Sequence, residues 1–283
     1  MFIGKEVITS PQNQYVSLAR GLANKKNREK ERLFRFDGVK LMCEAVKKGI
    51  DIDFVLIEEN KLDFVLEKAE KLYGIRENEL DFKAFFVSES LFGRLSEEMA
   101  PEGVICVAKY AEELHCEIAE GELSSASKRE KILLLESVRD PLNVGAILRV
   151  AAAFGVDRVV MSGDCADIYN SKTVRASMGT VFGVRIGRVW DIPCAVRELQ
   201  CAGRRVFAAA LDRDSKKLGN FEMQSGDCVI IGNEGHGLSD ETIIACDQAV
   251  FIPMAEGVES LNAATAAAVL VWEFFGKDLG GQA

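Results

Sequence analysis

Short apolar blocks recur along the chain, each cut off by a turn residue. Cys228–Ile231 stops at Gly232-Asn233, and Ala249–Ile252 stops at Pro253. Both are too short for helices, and their β-branched content predicts buried parallel strands. Between them, Ser239-Asp240-Glu241 supplies a helix cap with Thr242–Cys246 as its body. Ser260–Phe275 is Ala-rich, carries Leu261, Val269, Leu270 and Trp272, and meets neither Gly nor Pro before Gly276. That pattern predicts a long buried helix. Upstream, Ile132–Leu135, Arg158–Ser162, Val184–Val189 and Arg205–Leu211 read as strands, with helices over Asn143–Phe154 and Cys194–Ala202. Strand and helix alternate throughout, which predicts a mainly parallel sheet covered on both faces.

The first part of the chain reads as a smaller α/β unit. Helices are predicted over Gln14–Lys26, Val39–Lys47, Lys61–Leu72 and Glu89–Met99. Strands are predicted over Leu33–Asp37, Phe54–Ile57, Ala84–Val87 and Val104–Ala108. Residues 110–130 lose apolar periodicity apart from Leu114–Ile118 and turn to Glu, Ser and Ala, so they read as a linker. The domains expected are therefore 1–109 and 131–283.

Composition adds exclusions. The chain has 283 residues, is 48% hydrophobic and 28% charged, and contains no apolar stretch long enough to span a bilayer. Its eight cysteines are scattered without a CxxC pair, which fits free thiols in a reducing cytoplasm. Only His115 and His236 are present, which argues against a His-based metal site. The net charge of −9 argues against a uniformly basic nucleic-acid binder. One stretch departs from that. From Arg20 to Lys40, eight basic residues (Arg20, Lys25, Lys26, Arg28, Lys30, Arg32, Arg35, Lys40) face three acids (Glu29, Glu31, Asp37). Such a stretch suits RNA phosphates or a solvated helix face.

Candidate chemistry gathers where the later strands end. Asn233, Glu234 and His236 follow one strand, and Glu256, Glu259, Ser260 and Asn262 follow the next. Ligands of open α/β sheets bind beyond the carboxyl ends of strands. The Gly232, Gly235, Gly237 spacing equally suits a plain turn with positive φ at each glycine. Asn143 stands near a helix start. Arg149 lies among apolar residues of the same helix, where it reads either as half of a buried ion pair or as a phosphate clamp. Lys172 and Arg175 are further phosphate candidates.

Three blocks then coincide. They are Glu136 to Arg149 (ESVRDPLNVGAILR), Ile231 to Leu238 (IGNEGHGL), and Ile252-Pro253-Met254 through Glu259-Ser260-Leu261-Asn262. In order and spacing they resemble the three motifs of the SpoU (TrmH-like) RNA ribose 2′-O-methyltransferases of the SPOUT superfamily. The stretch Tyr169 to Gly179 is similar to the same family, and Arg28 to Gly38 resembles its RNA-binding extension.

The resemblance implies a C-terminal trefoil-knotted, parallel-sheet methyltransferase domain preceded by a small α/β RNA-binding domain. It implies S-adenosylmethionine held around Leu211, Gly232, Asn233, Ile252, Met254 and Leu261, and a cytoplasmic homodimer whose sites are completed at the subunit interface. It puts Arg149 at the catalytic position, with Asn143, Glu234, Ser260 and Asn262 beside it. Lys25, Lys26, Arg28, Lys30, Arg32, Lys172 and Arg175 would meet RNA, with ribosomal RNA favoured and no membrane or metal involved. The family's third motif has Gly where this chain has Glu256, followed by Gly257. The alternatives are a transfer-RNA methyltransferase of the same family, a non-catalytic RNA binder on this fold, and a nicotinamide enzyme. The last would need GxGxxG after Leu135, where ESVRDP stands instead.

Overall fold

The computed structural model describes residues 6–212, 214–257 and 260–277. The chain opens with α1 (Gln14–Gly21), α2 (Lys25–Glu31), β1 (Leu33–Asp37), α3 (Val39–Lys47), β2 (Ile52–Glu58), α4 (Leu62–Tyr73), β3 (Lys83–Val87), α5 (Glu89–Leu95) and β4 (Val104–Lys109). It continues through β5 (His115–Glu117), β6 (Ile132–Leu135), α6 (Pro141–Ala153), β7 (Arg158–Ser162), α7 (Ser171–Ala176), β8 (Arg185–Val189) and α8 (Ile192–Cys201). The last elements are β9 (Val206–Ala209), β10 (Lys216–Lys217), β11 (Cys228–Ile231), α9 (Asp240–Ala245), β12 (Gln248–Phe251) and α10 (Ala263–Val271).

Two compact units result. One comprises Met1–Ala111 with Asp167–Gly183; the other comprises Glu112–Ala166 with Val184–Ala283. Asp167–Gly183, expected within the later domain, packs in the first unit.

The first unit is a mixed sheet in the order β1-β4-β2-β3, with only β2 and β3 parallel. Its core includes Val16, Ala19, Leu22, Phe54, Leu56, Phe92, Ile105 and Val107. The helix expected over Gln14–Lys26 is two helices. Asn24 takes an extended conformation and its side chain accepts the Lys26 N–H, so it ends one run and caps the next.

The second unit is an eight-stranded sheet in the order β10-β12-β9-β11-β6-β7-β8-β5, every pairing parallel. Every residue of β6 and β11 is buried, as expected of strands covered on both faces. Two edge strands were not legible. β5 lies within the stretch read as a linker, and β10 is a pair of exposed lysines. β5 falls within Leu114–Ile118, where apolar and polar residues alternate over only five positions, and β10 carries no apolar residue. Because neighbouring strands run parallel and in register, β9, β11, β12 and β6 all end on one side of the sheet. The closing helix begins at Ala263, capped by Asn262, and ends in a π-helical turn over Trp272–Gly276. Among the described residues, no helix is long and apolar enough to cross a membrane.

Candidate active site

The loop after β6 is built by short-range hydrogen bonding. Ser137 sits at φ 56°, a left-handed conformation costly for a non-glycine residue. Its N–H donates to Ser162 Oγ at 2.8 Å and its Oγ to Asp164 Oδ2 at 2.8 Å. Arg139 pairs with the same carboxylate at 2.8 Å. Burial pushes the Asp164 carboxyl up, but hydrogen bonds from Ser162, Arg139 and Ser137 outweigh it and hold the group at about 2. Asp140 then caps α6, accepting the Leu142 N–H at 2.9 Å, with Pro141 in the first turn.

Asn143 follows two residues later and is 8% exposed. Its Oδ1 accepts from Asn262 Nδ2 at 3.0 Å, and its Nδ2 donates to Glu234 Oε1. Asn262 Oδ1 is already committed to α10, accepting from Ala264 N at 2.9 Å and Thr265 N at 3.3 Å. That cap leaves Asn262 only its NH₂ to offer, so Asn143 must present oxygen to Asn262 and nitrogen to Glu234. One helix cap thus orients two amides and a carboxylate drawn from three segments far apart in sequence.

The loop carrying Glu234 is fixed from both sides. The Asn233 and Gly237 backbones exchange hydrogen bonds at 3.0 and 2.9 Å. Asn233 Nδ2 donates to Ser137 O at 2.9 Å, while its Oδ1 accepts the N–H groups of Gly235 and His236. Of the three glycines, only Gly237 has a positive φ, at 69°. Gly232 serves close approach instead: a Cβ there would lie 2.4 Å from the Gly237 carbonyl. The loop's second anchor is Glu136, which its sequence position marks only as the first residue of a motif block. It accepts from Ser239 N at 3.0 Å, Ser239 Oγ at 2.9 Å and Thr242 Oγ1 at 2.8 Å, tying the β6 loop to the start of α9. Nothing in the sequence pairs residues so far apart.

Arg149 is not part of this cluster. Six residues beyond Asn143, it lies about 9 Å further along the helix axis and on another face. It is exposed and makes no hydrogen bond or ion pair among the described residues. The buried ion pair left open by the sequence is therefore not formed. Ser260 is exposed, and Glu259 lies outside the described residues. Glu256 is exposed in a turn whose positive φ, 86°, is taken by Gly257.

The residues read as cofactor contacts follow three adjacent strand ends. Leu211 comes after β9, Gly232 and Asn233 after β11, and Ile252 and Met254 after β12. Leu211 is 81% exposed and Met254 42%, while Ile252 and Leu261 are half-buried. Large apolar side chains left in solvent at one sheet end fit a ligand with an apolar moiety.

The basic stretch divides. Arg28 is buried: it pairs with Asp167 at 2.6 Å and donates to the Leu22 and Ala23 carbonyls at 2.7 and 2.9 Å. It braces the fold and offers no surface to RNA, which corrects its assignment as a phosphate contact. Arg35 is likewise buried. Lys25, Lys26, Lys30, Arg32 and Lys172 are exposed, and Arg32 lies over the Tyr110 ring at 4.6 Å. Arg175 is half-buried in an acidic recess with Asp37, Glu97 and Glu98.

A parallel α/β sheet whose polar cluster sits at its strand ends defines an α/β protein with a ligand site beyond those ends. Residues 130–272 match the SpoU rRNA Methylase family model, and residues 13–106 match the MRM3-like substrate binding domain. The chain is 31% identical over 270 residues to the 23S rRNA (guanosine(2553)-2′-O)-methyltransferase RlmP of Bacillus subtilis, spanning 95% of this chain and 99% of that one. It is 27% identical over 281 residues to the 23S rRNA (uridine(2479)-2′-O)-methyltransferase of Streptomyces viridochromogenes, spanning 97% and 93%. The AdoMet-bound rRNA methyltransferase from Sinorhizobium meliloti superposes with a TM-score of 0.77 at 26% identity, spanning 95% and 96%. The chain belongs to the SpoU rRNA methylase family.

Proposed function

We infer that this chain is an S-adenosylmethionine-dependent RNA (ribose-2′-O)-methyltransferase acting on ribosomal RNA. The observation that carries the reading is the Asn143–Glu234–Asn262 cluster, in which one residue from each of the three motif blocks meets at the strand ends. RlmP and the Streptomyces enzyme, both 23S rRNA 2′-O-methyltransferases by name, support the substrate class.

The backbone and apolar side chains around Leu211, Gly232, Asn233, Ile252, Met254 and Leu261 hold the cofactor. S-adenosylmethionine, when bound, supplies a methyl group already activated on a sulfonium sulfur. The protein's contribution is then mostly positioning. Arg149 grips the phosphate beside the target ribose and polarises its 2′-hydroxyl. A guanidinium stays protonated in proteins, so the proton leaves through phosphate or water rather than to Arg149. Asn143 and Asn262 hold Glu234 in place, and Ser260 contacts substrate at the entry to α10. Lys25, Lys26, Lys30, Arg32 and Lys172 position RNA through its backbone.

The enzyme works as a cytoplasmic homodimer. Arg149 is exposed, unpaired among the described residues and remote from the cluster, as expected of a residue that completes a partner's site. α6 and α10 pack together while leaving Leu142, Val269 and Trp272 exposed, which supports an interface there. The C-terminal segment threads a loop to form a trefoil knot. In support, β12 lies outside β9 although β11 is already inserted between β9 and β6, and α10 returns to α6. The test is ribose-methylation mapping of ribosomal RNA from cells with and without the gene. One methyl lost on deletion and regained with the wild-type chain is expected; an unchanged map refutes the reading.

A further inference from the structure

Trp190, immediately after β8, is 77% exposed. Its ring lies 2.4 Å from where a Cβ on Gly163 would stand. One face therefore rests on bare backbone and the rest of the ring meets solvent. Ile118 fills the equivalent space over Gly187, 2.1 Å from the missing Cβ. With Leu123 these side chains line a cavity of about 390 Å³. It sits beside β8 and α8, three strands from β11 and its catalytic loop.

The polar wall of this cavity has one sign. Glu120, Asp191 and Glu198 line it, and among the described residues no Lys, Arg or His does. Two of the carboxylates are held by backbone: Glu198 accepts from Gly121 N at 2.8 Å and Leu123 N at 3.1 Å, and Asp191 accepts from Cys194 N at 2.7 Å. Glu120 is exposed and has no partner among the described residues. Three carboxylates repel phosphate, so RNA backbone does not suit the cavity. An open tryptophan face ringed by carboxylates suits a cation, and indole is the strongest of the aromatic partners. Guanidinium fits better than ammonium, because it is planar, weakly hydrated and stacks on rings.

We propose that this cavity docks an arginine side chain of a basic polypeptide segment. The enzyme would then have a protein contact separate from its RNA contacts, of use where the RNA it modifies is already dressed with basic protein.

The test is calorimetric titration of the full chain with oligoarginine. Wild type and Trp190→Phe bind. Trp190→Ala and Glu120→Lys each bind about tenfold more weakly, while both methylate protein-free RNA as wild type does. Equal binding to all four proteins would mean general attraction to an acidic chain and overturns the proposal, as does no binding to wild type. Spermidine competing as well as oligoarginine would make this a small-cation site and also overturns it. A raised KM for RNA in Trp190→Ala, with peptide binding intact, would assign the ring to a nucleobase instead.

Discussion

Asn143 and Asn262, 119 residues apart in sequence, share a hydrogen bond of 3.0 Å whose direction is dictated by the cap of α10. Asn143→Ala removes the buried link between that cap and Glu234. We expect turnover to fall at least about a hundredfold, because the carboxylate is no longer held. Stability should fall by about 1–2 kcal/mol, the cost of leaving buried polar groups unpaired. Single-turnover kinetics and urea melts measure the two separately. Near-wild-type turnover would remove Asn143 from the site.

Arg149 should behave in the opposite way. Exposed and without a hydrogen bond or ion pair among the described residues, it adds little to the fold of the protomer, so Arg149→Ala should melt within about 0.5 kcal/mol of wild type. Turnover should be abolished while S-adenosylmethionine binding, followed by calorimetry, is unchanged. Arg149→Lys should not rescue, since ammonium lacks the planar fork that grips phosphate. An active Arg149→Ala enzyme refutes the assignment.

Glu136 separates charge from geometry. It receives three hydrogen bonds from Ser239 and Thr242. Glu136→Ala unties the β6 loop from α9 and should cost about 1 kcal/mol, since the exposed Ser239 donors rehydrate and Thr242 Oγ1 keeps its contact with Ser239 Oγ. Glu136→Gln keeps an acceptor for the backbone N–H, and the two hydroxyls can rotate to meet its NH₂, so most of the loss should be recovered. Equal destabilisation by both substitutions would contradict this account.

Asp164 predicts an acid limb in stability. Its hydrogen bonds hold the folded carboxyl at about 2, below the ordinary value of 3.8. A depressed acid stabilises the fold at pH values above the ordinary one, and that contribution fades as pH falls from 3.8 toward 2. Thermal melts of wild type and Asp164→Asn should therefore differ at pH 6 and converge in that window. A gap independent of pH would show that the charge is irrelevant.

The basic stretch yields a paired contrast. Arg28→Ala strands Asp167 in a mostly buried position and should cost about 3 kcal/mol. Lys26→Ala should leave stability untouched but weaken RNA binding, with a smaller dependence on salt. If both behave alike, one of the two placements is wrong.

Much of this was legible in the sequence because apolar runs and turn residues are local signals. β1, β6, β7 and β11 fall where their hydrophobic blocks predicted, and Asn262 stands at the helix start its type suggests. What stayed hidden depends on partners distant in sequence. Arg28 looks like any surface cation in a charged helix until Asp167 is brought to it. Glu136 looks like a loop residue until Ser239 and Thr242 arrive. β5 shows only the brief alternation of Leu114–Ile118, and β10 is a strand only because a sheet edge pairs it, since its two lysines carry no pattern.

The placement of Asp167–Gly183 has a consequence for how such enzymes diversify. The polypeptide passes between the two units three times, after Ala111, Ala166 and Gly183. A chain ending at Ala111 leaves behind Asp167, the counter-charge of Arg28, and Tyr169, whose ring lies 4.8 Å from that of Phe34. Recombination at one junction would therefore deliver a substrate-binding module with part of its own interior missing. Only a two-segment graft moves that module whole.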